Sequence, residues 1–131
     1  MTIVYDDLGD EAASEVPVRK IRFTINGKKK VAEIEPRLDR ACALAGTSYS
    51  RLTIRGQRTR WASCSRSGAM SFNWRLLLAP EAVLDYVIWH EVCHLEVMDH
   101  SSRFWRLLAS RSPGYREQLR WLKLNGATLV L

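Results

Sequence analysis

His90-Glu91-Val92-Cys93-His94 is the stretch whose reading decides this chain. Histidines four apart share one face of an α-helix, and the glutamate lies one helical step from the first. A third histidine, His100, follows six residues after the second. The 131 residues contain only these three histidines. Catalytic zinc takes three protein ligands and keeps one position open. The expected site is therefore one Zn(2+) per chain on His90, His94 and His100. Glu91 is the expected base, taking a proton from the zinc-bound water.

Working outward, the motif lies in an apolar run. Val83, Val87, His90, His94 and Val97 form one helical stripe, and Leu84, Ile88 and Leu95 form another. A helix apolar on nearly all sides is buried, so a buried helix is expected from after Pro80 to about Val97. His100 would lie off the His90/His94 face if that helix continued, so the chain is expected to turn at Met98-Asp99. Cys64 and Cys93 are rival ligands of a closed structural site, which would have no use for Glu91; small buried packing roles are their plainer reading. Glu96, Asp99 and Glu117 stand as substitute ligands. Asp85 is a candidate acceptor behind one imidazole, or a surface residue.

The flanks predict an α+β fold. Residues 1–15 read as an acidic flexible tail and 16–131 as a single domain. Within it, 16–35 reads as a β-hairpin turning at Asn26-Gly27, and Pro36 opens a helix that stops at Gly46. Strands are expected over 51–57, 60–65 and 69–74, the last two joined through Arg66-Ser67-Gly68. Ser101 or Ser102 caps a helix carrying Phe104 and Trp105, and a last helix runs from about Tyr115 to Leu124. The sum is a small, mostly antiparallel sheet packed on the motif helix, with two C-terminal helices after it.

Composition bounds the function. A chain 47% hydrophobic and 26% charged is ordinary for one globular domain. It has no apolar run long enough to span a membrane, and its acidic start is unlike a secretory leader. Three cysteines without framework spacing point to a reducing compartment, so the cytoplasm is expected. The net charge is +6, and 15 of the 20 basic residues are arginine. Residues 1–15 hold five acids and no Lys or Arg, which leaves the body of the chain more basic than the total implies. Arginine donates bidentately to phosphate, so DNA or nucleotide contact through an Arg-rich surface is an expectation. A monomer is expected. Trp61 or Trp74, interleaved with Arg58, Arg60 and Arg75, could stack on bases; packing is the plainer reading of five tryptophans. Lys28-Lys29-Lys30 reads as a solvated hairpin tip. Tyr86, Tyr115, Asn73 and Arg75 are all candidates for a transition-state donor.

Several blocks together resemble a known family. They are Arg60-Trp61-Ala62-Ser63-Cys64-Ser65, Asn73-Trp74-Arg75-Leu76, Ala79-Pro80, Asp85 to Ile88, His90 to Leu95, and His100-Ser101 with Phe104-Trp105. In order and spacing, over roughly 36–126, they resemble the YgjP-like metallopeptidase domain, which is related to SprT-type and WLM zinc proteases. The resemblance implies a zincin-like fold, a His90/His94/His100 zinc site and Glu91 as general base. It also implies that the strand Arg60–Cys64 borders a cleft where a peptide adds along a strand edge. Arg60, Trp61, Ser63, Asn73 and Arg75 are the candidate substrate contacts. The family usually has Gly where Ala62 stands and a longer β-rich region before position 36. Three functions follow as expectations. The first is a zinc peptidase acting on protein or peptide, with nucleic-acid-associated proteins among its substrates. The second is a metal-dependent nucleotide phosphoanhydride hydrolase, an activity associated with some YgjP-like proteins. The third is a noncatalytic zinc-stabilised module that binds nucleic acid.

Overall fold

Strand and helix formation are clearest between residues 34 and 129. The computed structural model describes residues 2–4, 14–16, 34–56 and 60–129, and of the first two segments only the backbone path. The first helix, α1, spans Ile34–Ala45. It starts two residues before Pro36, whose ring is tolerated in the first turn, where no intrahelical N–H bond is lost. Gly46 ends it at φ 70. The Gly46 N–H donates to Ala43 O at 3.3 Å and the Thr47 N–H to Cys42 O at 3.0 Å, the Schellman closure that favours glycine. Ile34 and Glu35 thus belong to a helix rather than to the second arm of a 16–35 hairpin. The remainder of that hairpin, Lys28 to Lys30 included, lies outside the described residues, as does Arg58.

The sheet is mixed, in the order β1-β4-β5-β3-β2. Its inner strands are β3 (Arg51–Gly56), β4 (Arg60–Cys64) and β5 (Ala69–Asn73). β4 and β5 form the expected hairpin, Ser63 opposite Ser71. Gly68 closes it at φ 86, its N–H donating to Ser65 O at 3.0 Å. β3 lies parallel to β5, the one parallel pairing among the described residues, with Thr53 opposite Ser71. Within the expected tail, two short segments are strands. Thr2–Val4 forms β1 beside β4, and Ser14–Val16 forms β2 beside β3. Thr2, Ile3 and Val4 are all β-branched, and that local preference for strand outweighs the acidic composition around them.

Alternation along the strands separates two faces. Ala62, Phe72 and Ile54 pair across β4, β5 and β3 and are buried to 3% exposure or less. At the start of β4 the register slips opposite Ile3 and Val4, so that Trp61 is the extra residue of a bulge. Trp61 and Ala62 are both buried as a result.

Behind the sheet lie α2 (Glu81–His94), α3 (Ser102–Arg111) and α4 (Tyr115–Asn125). α2 is the buried helix its composition predicts. Val83, Leu84, Tyr86, Val87, Ile88, Val92 and Cys93 are each exposed by 2% or less. α2 packs against α1, α3, α4 and β4. Arg37 of α1 clamps it, reaching Asp85 at 2.6 Å and Glu81 at 3.3 Å. Asp85 is therefore committed to α1 and is not an acceptor behind an imidazole. Among the described residues no helix is long and apolar enough to cross a membrane.

Candidate metal centre

α2 ends at His94, three residues before the expected Val97. The Val97 N–H closes back on Cys93 O at 2.9 Å, and the chain then turns through Met98-Asp99, as His100 requires. The turn returns a side chain to the helix face. His100 Nε2 lies 3.1 Å from His90 Nε2 and 3.0 Å from His94 Nε2. All three candidate ligand atoms lie within 4.8 Å of one another. Nitrogens bound at about 2.0–2.1 Å to one tetrahedral ion sit about 3.3 Å apart, so the two separations from His100 match that spacing to within a few tenths of an ångström.

The rear nitrogens fix the rings. His94 Nδ1 donates to Val97 O at 2.9 Å, which leaves its Nε2 as the lone-pair nitrogen facing forward. Tyr86 Oη lies 3.3 Å from His90 Nδ1. Phe104 stacks on the His94 ring at 4.3 Å and 19°, and Trp105 stacks on His100 at 5.6 Å. The Trp105 indole also donates to His100 O at 3.1 Å. Burial, then the neighbouring His94 and His100, hold His90 neutral down to about pH 2. Burial holds His94 neutral down to about pH 4, and it lowers His100 as well. Neutral imidazoles are the metal-binding form.

Glu91 is 0% exposed, and among the described residues neither carboxylate oxygen has a hydrogen-bond partner. Burial pushes its carboxyl well above the usual range. Buried polar groups are almost always satisfied, so this exception calls for an explanation in chemistry.

The competing ligands fall away among the described residues. Cys93 is buried and electrostatically coupled to Arg111, and burial pushes its thiol up to about 11. Cys64 is likewise a buried free thiol, pushed up to about 12 by burial and then by Glu91. Glu96 is paired with Arg111. Asp99 accepts from the Ser101 N–H at 3.2 Å. Glu117 is exposed and outside the three-histidine group.

Of the five expected substrate contacts, Trp61, Asn73 and Arg75 are engaged in packing, capping and stacking. Trp61 is only 4% exposed and lies against the backbone at Gly126, where an added Cβ would come within 2.6 Å of its ring. The Asn73 side chain donates to Arg60 O at 3.0 Å and accepts from Arg75 N–H at 3.0 Å, so it caps the 3-10 turn Trp74–Leu78. Arg75 stacks on Trp74 at 4.6 Å. Arg60 and Ser63 line a groove described below. Of the candidate oxyanion donors, Tyr86 serves His90, while Asn73 and Arg75 are taken by the cap and the stack. Tyr115 remains on the histidine side, its ring stacked on Trp105 at 5.5 Å. The sequence reading missed the orienting roles of Tyr86 and Val97. The Tyr86/His90 pair had a usable signal, since residues four apart on a helix meet.

No curated protein and no solved structure matches this chain. The model of the YgjP-like metallopeptidase domain family matches residues 11–125. That match begins before the roughly 36–126 span of the resemblance and covers most of the chain. A three-histidine group able to hold a metal lies inside it, and the chain belongs to the YgjP-like metallopeptidase domain family.

Proposed function

We propose that the protein is a zinc-dependent peptidase of zincin-like architecture, in which His90, His94 and His100 hold the ion and Glu91 is the general base. Glu91 carries this reading: a fully buried carboxyl with no partner, next in sequence to a converging histidine. Such a group destabilises the fold, a cost that a catalytic role would account for. When bound, zinc would polarise the scissile carbonyl and ease deprotonation of a water. Glu91 takes the proton of the attacking water and delivers it to the departing amine. Tyr86 and Val97 O keep two imidazoles aimed forward, and Tyr115 is the donor for the developing oxyanion. Unstructured protein is the substrate class, including protein attached to nucleic acid. The three reduced, buried thiols favour a cytoplasmic setting.

The test is a paired assay of wild type and Glu91→Gln on unfolded protein and on a nucleoside triphosphate. The variant should keep one zinc per chain and lose peptide hydrolysis by about a hundredfold or more. Full activity in the variant would sink the general-base role. Wild-type turnover of the nucleotide alone would replace the peptidase by a phosphoanhydride hydrolase. Zinc binding without hydrolysis of either would leave the noncatalytic module.

A further inference from the structure

The sheet has a second face. Ser63, Ser71 and Thr53 pair directly across β4, β5 and β3. They alternate with Ala62, Phe72 and Ile54, so they line the side away from the apolar core. Over them lies a groove of about 320 Å³, with Arg51 and Arg60 exposed at its rim. Arg55 also lines it, and so does Ser65 beyond the end of β4. Among the described residues no acidic side chain lines this groove.

Its floor is unusual for an outer sheet face. Thr53 is 7% and Ser71 9% exposed, so hydroxyls stand where a covered face would carry apolar side chains. The Ser71 hydroxyl is buried with no hydrogen-bond partner. A buried unpaired hydroxyl is destabilising, and an acceptor in the groove would satisfy it. The backbone register sets Glu15 of β2 opposite Arg55. Arg51 and Arg60 come from strands on either side of β5 and supply two guanidinium forks. Forked cations above a row of hydroxyl donors match a tetrahedral oxyanion, which takes bidentate arginine and hydroxyl bonds together.

We propose that this groove is a phosphate-binding site, formed by Arg51, Arg60 and the Ser71 hydroxyl on the sheet face opposite the histidines. The phosphate belongs either to a small polyphosphate or to the backbone of single-stranded nucleic acid. The site is independent of the peptidase reading, because none of its residues belongs to the histidine cluster.

The experiment uses the full chain with two probes, inorganic pyrophosphate by calorimetry and a labelled dT12 oligonucleotide by anisotropy. The variants are Arg51→Gln/Arg60→Gln, whose side chains are exposed, and Ser71→Ala. Circular dichroism and zinc content are read for each, so a folding defect or a lost metal is seen directly. At least one probe should bind wild type, weaken about tenfold or more in the double variant, and weaken by a smaller factor in Ser71→Ala. Oligonucleotide binding displaced by pyrophosphate would identify backbone phosphate as a source. Its logarithmic salt slope should then be shallower by about 1.4 in the double variant, for two phosphates no longer neutralised. Pyrophosphate binding alone would identify a small polyphosphate. Failure of both probes to bind, or binding unchanged in the folded double variant, would overturn the proposal, whatever the zinc content.

Discussion

Removing the charge of Glu91 should change how the stability of the metal-free protein depends on pH. The Glu91 carboxyl is held above its ordinary value by burial, so its contribution is fully present below about pH 4.5 and is lost as pH rises towards its folded-state value. His90 and His94 act in the opposite sense. Their folded values are lowered to about 2 and about 4, so their contribution is present above pH 6.5 and is lost as pH falls below it. Each group changes the slope by about 1.4 kcal/mol per pH unit while it is protonated in one state and not the other. Between pH 6.5 and about 7.5, below the range where unfolded thiols ionise, Glu91 dominates and wild type should lose up to about 1.4 kcal/mol per unit. Between 5 and 6 the histidines, His100 included, outweigh it, and stability should fall by about 1.4 kcal/mol per unit or more towards acid. The metal-free protein should therefore be most stable between about pH 6.5 and 7. In Glu91→Gln the alkaline limb should flatten and the acid limb steepen by about a further 1.4 kcal/mol per unit. Urea melts of chelator-treated protein, followed by tryptophan fluorescence every half unit from about pH 5 to 7.5, measure both limbs. Equal alkaline slopes in the two proteins would refute the claim that Glu91 is buried without a partner.

Three further outcomes follow from the same geometry. His100→Ala should abolish stoichiometric zinc in atomic absorption while leaving the metal-free melting temperature within a degree or two, since His100 is exposed and comes after α2 ends. Tyr86→Phe keeps the buried ring but loses the contact to His90 Nδ1, so zinc affinity measured by competition with a chromophoric chelator should fall about tenfold or more. Phe104→Ala removes a fully buried ring stacked on His94 and should cost about 3–5 kcal/mol in urea unfolding, with weaker zinc binding at temperatures where the variant remains folded.

The histidine group was legible because its three residues are local. Helical spacing of His90 and His94 and the forced turn before His100 needed no knowledge of the rest of the chain. The β4–β5 hairpin was legible for the same reason, with Gly68 marking its turn. Features set by distant residues were not. Asp85 looked available to an imidazole because its partner, Arg37, lies 48 residues away. The parallel pairing of β3 with β5 joins strands with β4 between them in sequence, and neither strand encodes its neighbour. Apolar periodicity carried the predicted α2 on to Val97. The helix stops at His94, and the turn that follows sets the Val97 carbonyl behind that ring. Asn73 and Trp61 looked like substrate contacts by residue type, but a 3-10 cap and a bulge claim them.

The same locality bears on the order of assembly. Eleven consecutive residues carry the whole histidine set, so gathering it closes only a short loop, at small entropic cost. The unfolded chain can thus chelate an ion through His90, His94 and His100 before the sheet exists. Any such binding subtracts from the stabilisation that the ion gives the native state. Glu91 has no such shortcut, because its burial depends on helices and strands drawn from residues 34 to 129. On the proposed function, ion capture can therefore precede catalytic competence during folding, and metal content alone would overcount the active molecules in a preparation.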